Sequence, residues 1–238
     1  MAQRKTILAT NEIYHVYNRG VEKRPIFLIK RDYARFTETT NYYRFANCPM
    51  RFSYLKLLPH EEKDNIFKRL ESESKKLVDI FTFCFMPNHI HFLLKQLVDK
   101  GISKFMAKIT NAFSHYFNTR HDRIGHLFQG NFGAVRMETD EQLIHVSRYI
   151  HLNPVSSYLI EIKDLPNYEY SSYPEYINGA SGFTNTKEVL SHFKNKNEYR
   201  KFVEDQADYA RKLENIKHLT LEQESKPKTP NYTEVLYL

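Results

Sequence analysis

The stretch VDIFTFCFMPNHIHFLLK, from Val78 to Lys95, carries the strongest structural signal in the sequence. An apolar run rich in aromatic residues ends at Met86, Pro87 and Asn88 supply a turn, and a second apolar run follows. Two apolar runs joined by so short a turn predict a buried β-hairpin.

The segments on either side of this hairpin predict an alternation of strands and helices. Alternating side chains predict a strand over Glu12–Arg19, and residues 131–137 predict another. Amphipathic spacing predicts helices over residues 30–45 and 101–120. A further helix is predicted from an N-cap at Thr139 or Asp140 to about Leu152, with Pro154 ending it. This order predicts an α+β ferredoxin-like sandwich, an antiparallel sheet with helices packed on one face.

The remaining segments are predicted to be additions to the sandwich. Residues 47–76 read as a short strand or loop before a polar helix, and they look inserted. We assign residues 1–160 to the sandwich domain and residues 161–238 to a mainly helical C-terminal extension. Helical character is expected over residues 186–213, and about the last 18 residues are expected to be disordered.

The composition favours a nucleic-acid partner. The chain of 238 residues has 35 Lys and Arg against 28 Asp and Glu, a net charge of +7, together with 17 Tyr and 17 Phe. Cations bind phosphates and aromatic rings stack on bases, so single-stranded nucleic acid suits this balance. A merely basic surface is the alternative.

Several function classes are excluded by what the sequence lacks. There is no GxxxxGK[ST] or GxGxxG loop, so a nucleotide cofactor is not expected. No run of 18 apolar residues predicts a membrane span, and no signal peptide is recognised. Two cysteines are too few for a disulfide scaffold, which favours a cytoplasmic location.

The histidines of the hairpin are the first chemical candidates. His89 and His91 are two residues apart on a strand, so they emerge on one face, about 6–7 Å apart, and can bind one divalent cation. The alternative is one hydrogen-bonded core histidine and one exposed histidine. No third ligand follows His91 within seven residues, so a zinc hydrolase site would be incomplete.

The late helix supplies the second set of candidates. Tyr149 and Asn153 are four residues apart and share a helix face. A tyrosine hydroxyl can act as a nucleophile and an asparagine oxygen as a ligand, but a phenol needs a nearby cation to ionise. The alternative is that Tyr149 packs the core and Asn153 merely closes the helix.

A linked series of motifs then resembles a known family. In chain order these are HVYNRG (15–20), FCFMPNHIHFLL (83–94), GHLFQGNF (125–132), RYIHLNPV (148–155) and YSSYPEY (170–176). Together they are similar to the REP-associated tyrosine transposases, single-tyrosine insertion-sequence transposases of the HUH class.

The resemblance implies a function and its residues. It implies His89 and His91 as metal ligands with Asn153 as the third, Mg²⁺ or Mn²⁺ as the metal, and Tyr149 as the catalytic nucleophile. The implied reaction cleaves and rejoins single-stranded, hairpin-forming DNA of inverted repeats through a 5′-phosphotyrosine. A domesticated, catalytically idle hairpin-binding protein is the alternative. Whether the chain acts as a homodimer or alone stays open.

Further residues are candidates for DNA contacts. Asn18 and Arg19 end the first strand, where the alternative is turn formation before a glycine. Phe128 and Gln129 are candidates for stacking on and hydrogen-bonding a base, although Phe128 would equally suit the core. Three arginines are candidate phosphate ligands, with a solvated surface as the alternative: Arg123, Arg136 and Arg148. The lesser metal or base candidates are His15, His145 and His151.

Overall fold

The computed structural model describes residues 7–206. The strands are β1 (Ile13–Arg19), β2 (Val78–Met86), β3 (His89–Gln96) and β4 (Gly133–Arg136). The α-helices are α1 (Lys30–Tyr43), α2 (Phe52–Leu55), α3 (His60–Glu73), α4 (Gly101–Arg120), α5 (Asp140–Ser156), α6 (Tyr173–Ile177), α7 (Lys187–Leu190) and α8 (Lys196–Glu204), with 3₁₀ turns at Val21–Lys23 and Ile162–Asn167. The predicted disordered end, and the predicted helix beyond residue 206, lie outside the described residues.

The four strands form one antiparallel sheet in the order β2-β3-β1-β4. β2 and β3 are the predicted hairpin, and β1 lies beside β3 in the centre of the sheet. Helix α1 connects β1 to β2, and α4 connects β3 to β4, so each helical connection crosses one intervening strand. This is the split βαβ arrangement, and the predicted α+β antiparallel class is confirmed.

Helices cover both faces of the sheet, where the sequence predicted one. On the first face, strand residues such as Val16 and Phe92 share a buried cluster with Phe36 of α1 and Phe113 of α4. On the second face, Leu93 shares a cluster with α5 and with residues after 161. The reason lies in the hairpin, whose nearly continuous apolar runs are buried on both sides and therefore need two layers of cover.

A register shift in β2 helps to supply apolar side chains to the second face. The pairing with β3 slips between Ile80 and Thr82. Phe81 therefore joins the cluster beneath α5, while Ile80 and Phe83 join the opposite cluster. A bulge of this kind reverses which side chains face each layer.

Two local predictions are corrected. The segment expected as a short strand or loop before the polar helix is loop except at Phe52–Leu55, which form helix α2, and α3 is the polar helix itself. Pro154 does not end α5, which runs to Ser156. The proline removes only its own N–H from the hydrogen bonds of the helix, so the helix continues for two more residues. Beyond its end, the Pro154 carbonyl accepts hydrogen bonds from the backbone N–H groups of Leu159 and Ile160. The predicted N-cap at Thr139 is confirmed, since its hydroxyl accepts from the Gln142 amide.

A buried polar network ties α5 to the chain that follows it. His151 of α5 has no exposed surface, and its Nδ1 lies 2.8 Å from the Tyr199 hydroxyl and its Nε2 2.8 Å from Ser172 Oγ. Ser147, one turn earlier, lies 3.2 Å from the same Tyr199 hydroxyl. Burial lowers the pKa of His151 to about 3, so the imidazole is neutral at physiological pH. The network fixes α5 against α8 and against the loop before α6.

Tyr199→Phe is expected to lower the free energy of unfolding by about 1–3 kcal/mol, because it leaves buried polar atoms of His151 and Ser147 without their shared partner. Urea denaturation followed by circular dichroism measures this. Tyr54→Phe removes the hydroxyl of a residue that is 58% exposed and serves as the control. Equal stability of the two variants would show that the network contributes nothing.

No helix within residues 7–206 combines the length and apolar character needed to cross a membrane.

Candidate active site

The candidate site lies on the second face of the sheet, beneath α5. Strand alternation places His15, Tyr17 and Arg19 of β1 on this face, with His89 and His91 of β3. The antiparallel register sets Tyr17 opposite His91 and Arg19 opposite His89. The predicted shared face of the two hairpin histidines is therefore present at the centre of the sheet.

The two hairpin histidines lie side by side with their rings held by neighbouring groups. Their ring centroids are 4.9 Å apart and the planes are nearly perpendicular. His89 Nδ1 lies 2.6 Å from Asn88 Oδ1. His91 is 7% exposed, and its Nδ1 lies 2.9 Å from His15 Nε2. Metal-binding histidines are commonly oriented in this way, through the ring nitrogen that does not bind the metal.

Tyr149 of α5 meets the histidines on this face. Its ring centroid lies 5.7 Å from that of His91 and 5.9 Å from that of His15, edge-on in both cases. The helix is positioned by Leu143 and Ile150, which belong to the buried cluster of this face. The predicted nucleophile and the predicted histidine ligands are therefore brought together within one chain.

Asn153 lies one turn after Tyr149 and faces His89. It is 5% exposed, its Nδ2 donates to the Tyr149 carbonyl over 2.8 Å, and it lies close enough to His89 to raise the pKa of that imidazole. Burial lowers the pKa of His89 to about 4, with the Arg19 charge acting in the same direction and Asn153 against it. His89 is thus neutral near pH 7, which is the form that binds metal ions.

The residues present fit a divalent cation held by few protein ligands. Among residues 7–206, no three His, Cys, Asp or Glu side chains gather into a metal-holding group. The candidate set is instead two imidazoles, from His89 and His91, and one amide, from Asn153. Mg²⁺ and Mn²⁺ usually keep several waters and take substrate phosphate oxygens, so three protein ligands suffice.

Comparison with known proteins gives one family match. Residues 39–153 match the model of the family described as IS200-like transposases. Over these residues the chain is similar to the IS200-like transposases. The matched segment contains the hairpin, both of its histidines and α5 as far as Asn153, so the resemblance seen in the motifs is confirmed.

One solved structure has a fold similar to that of this chain. It is described as a REP-associated tyrosine transposase bound to a REP hairpin. The alignment covers 79% of this chain and 93% of that chain, with a TM-score of 0.51 and 13% sequence identity. Comparison with curated protein sequences gives no match.

Two of the predicted DNA-contacting residues lie beside the site. The Arg19 Nε donates to Gln129 Oε1, and the backbone N–H of Gln129 donates to the backbone carbonyl of Arg19 over 2.8 Å. Both side chains are exposed, so the pair forms a basic and polar edge next to His89. Their proposed contact with DNA stays a prediction.

Two other candidates are buried. Asn18 is 7% exposed, and its Oδ1 accepts from the Arg19 amide over 2.8 Å. Phe128 is 8% exposed, and its ring lies 6.5 Å from Phe36 and 6.4 Å from Phe113. The structure therefore places Phe128 in the core of the first face, which corrects the expectation that its ring stacks on a base.

The three predicted phosphate-binding arginines are engaged with protein groups. Arg123 donates to loop carbonyls, with 2.7 Å to His126. Arg136 pairs with Glu12 over 2.9 Å. Arg148 lies 4.2 Å from the centre of the Phe202 ring and donates to His145 Nδ1 over 2.7 Å. The structure does not bring these arginines together with the histidine pair.

Sequence reasoning missed one neighbour of the site and understated another. Tyr17 was not a candidate, although alternation along HVYNR places it on the face of His15 and Arg19. His15 was a lesser candidate, and it contacts both His91 and Tyr149. The alternation of β1 was the sequence signal that these side chains share a face. Only the register with β3 shows that this face also carries His89 and His91.

Proposed function

We propose that this chain is a metal-dependent tyrosine transposase that cleaves and rejoins single-stranded, hairpin-forming DNA. The observation that carries the proposal is that the Tyr149 ring lies 5.7 Å from the His91 ring beneath α5, with Asn153 one helical turn further on the same helix. All three residues lie in the segment that matches the transposase family. They come from one chain, so the proposed site needs no residue of a second copy.

The proposed reaction exchanges one phosphate ester for another. The Tyr149 hydroxyl loses its proton to water, its oxygen attacks the scissile phosphorus and forms a new P–O bond, and the bond from phosphorus to the 3′-oxygen breaks. The leaving 3′-oxygen takes up a proton from water. The products are a 5′-phosphotyrosine and a free 3′-hydroxyl, and attack by a 3′-hydroxyl reverses the step. The ester bond is conserved, so rejoining needs no nucleotide cofactor.

The side chains of the site have separate proposed roles in metal binding and in positioning. His89, His91 and Asn153 would hold Mg²⁺ or Mn²⁺, which when bound neutralises charge on the phosphate and favours ionisation of the nucleophile. His15 holds the His91 ring, and the Asn153 amide contacts the Tyr149 backbone one turn away. The helix thus carries both the nucleophile and a ligand in fixed relation.

Hairpin DNA is the proposed substrate. The solved structure of similar fold is described as bound to a REP hairpin, and the net charge of +7 suits a polyanion. Purified protein should form a denaturation-resistant adduct with labelled hairpin DNA made from an inverted repeat, in Mg²⁺ or Mn²⁺ but not in EDTA. Binding of the DNA without any adduct would instead support a catalytically inactive hairpin-binding protein. Cleavage of the DNA without an adduct would support a metal-dependent hydrolase.

The affinity for hairpin DNA is expected to fall at least about tenfold between 50 and 200 mM salt, because released counterions favour binding to phosphates. Fluorescence anisotropy in EDTA measures this without cleavage. An affinity that is unchanged over this range would contradict binding led by phosphate contacts.

A further inference from the structure

Tyr17 is an aromatic side chain at the candidate site to which the proposed chemistry gives no role. It lies opposite His91 in the register of β1 and β3, and the two ring centroids are 6.2 Å apart. The residue is 42% exposed, although its neighbours Val16 and Asn18 are buried. A large ring is therefore accessible within one nucleotide's reach of the proposed metal ligands.

The tyrosine ring is seated on a glycine of the neighbouring strand. Gly133 of β4 is paired with Tyr17, and a Cβ atom at Gly133 would lie 2.3 Å from Tyr17 Cζ. Only glycine lets the ring lie so close to the β4 backbone. The strand thus supports the ring from one side and fixes its position, while much of the residue stays exposed.

The surroundings suit a nucleotide. Arg19 follows Tyr17 on the same face, where the guanidinium pairs with Gln129. A cation suits the phosphates of a strand and an amide suits the edge of a base. A fixed, exposed ring beside Arg19 on β1 and opposite His91 provides a stacking surface that accepts any base.

We propose that Tyr17 is the stacking platform for the nucleobase next to the scissile phosphate. This role rests on the proposed function, and it adds a base-binding subsite to the candidate active site. The alternative is that Tyr17 only covers Gly133 and stabilises the pairing of β1 with β4.

Binding to single-stranded DNA in EDTA tests the subsite apart from catalysis. The probes are a labelled 15-nucleotide oligothymidine and an abasic oligomer of the same length, measured by fluorescence anisotropy. Tyr17→Leu keeps apolar cover over Gly133 but removes the aromatic face, and it should weaken binding to oligothymidine about tenfold. Tyr17→Phe keeps the ring and should bind like wild type. On the abasic oligomer, wild type and Tyr17→Leu should bind equally.

Two results would overturn the inference. The first is that wild type and Tyr17→Leu bind oligothymidine equally well. The second is that Tyr17→Leu loses as much affinity for the abasic oligomer as for oligothymidine, which would indicate a structural role. Adduct formation is measured separately, so a wild-type adduct without any Tyr17 effect on binding would leave the proposed function standing and remove only the subsite.

A crosslinking measurement covers the case in which Tyr17→Leu fails to fold. Wild-type protein is irradiated with an oligonucleotide that carries 5-iodouracil next to the cleavage position, and the crosslinked peptide is sequenced by mass spectrometry. Crosslinking at Tyr17 is the expected result. Crosslinking only at residues outside this face of the sheet would overturn the inference.

Discussion

Replacing Tyr149 with phenylalanine is expected to lower formation of the covalent protein–DNA adduct by at least about three orders of magnitude. The change removes the one oxygen that is proposed to attack phosphorus and leaves the ring in its packing against His91 and His15. Affinity for hairpin DNA should be unchanged, because basic side chains and stacking rings supply the binding. Gel electrophoresis under denaturing conditions measures the adduct.

Tyr54→Phe is the matched control for this variant. Tyr54 is 58% exposed in α2, so the same loss of one hydroxyl should leave adduct formation at the wild-type level. If Tyr149→Phe formed the adduct as fast as Tyr54→Phe, Tyr149 would not be the nucleophile.

Replacing either hairpin histidine with alanine is expected to lower metal-dependent cleavage at least about 100-fold. His89→Ala and His91→Ala each remove one imidazole from a candidate set of only three protein ligands, and losing even an outer-shell partner weakens a metal site 10- to 100-fold. The measurements are the cleavage rate across a Mn²⁺ titration and the affinity for hairpin DNA in EDTA, which should stay within about threefold of wild type.

His60→Ala is the control for the histidine variants, because the His60 side chain is 90% exposed at the start of α3. It should cleave like wild type. One outcome for the two site variants would show that they act on folding and not on metal binding. If His89→Ala and His91→Ala lost DNA affinity and thermal stability together, the pair would be structural core histidines.

The parts of the fold that followed local patterns could be predicted. The hairpin and the helix of residues 101–120 carry long, regular apolar signals, and Thr139 has the side chain of an N-cap. The second layer could not be predicted from the same patterns. A continuous apolar run such as that of β2 does not reveal which element covers each face, and the slip between Ile80 and Thr82 appears only once β3 is paired with it.

The candidate site was predictable where its residues lie on regular elements. Spacing on a strand put His89 and His91 on one face, and spacing on a helix did the same for Tyr149 and Asn153. Loop residues gave no such periodicity. Phe128 illustrates this, because its ring turns into the core of the first face.

The platform formed by Tyr17 and Gly133 shows a second reason why part of the site was missed. The two residues lie on different strands, far apart in the sequence, and only their register brings them together. Neither residue is unusual by itself, since a tyrosine in a strand and a glycine near a turn are common. Cross-strand partners of this kind require the topology before they can be recognised.

The decisive measurement is to identify the amino acid that becomes joined to DNA. The wild-type adduct is formed in Mn²⁺, digested with nuclease and protease, and its nucleotide-bearing peptide is sequenced by mass spectrometry. A nucleotide attached through phosphate to Tyr149 is the predicted result. Attachment at any other residue would contradict the assignment of the α5 tyrosine as the group that breaks the strand.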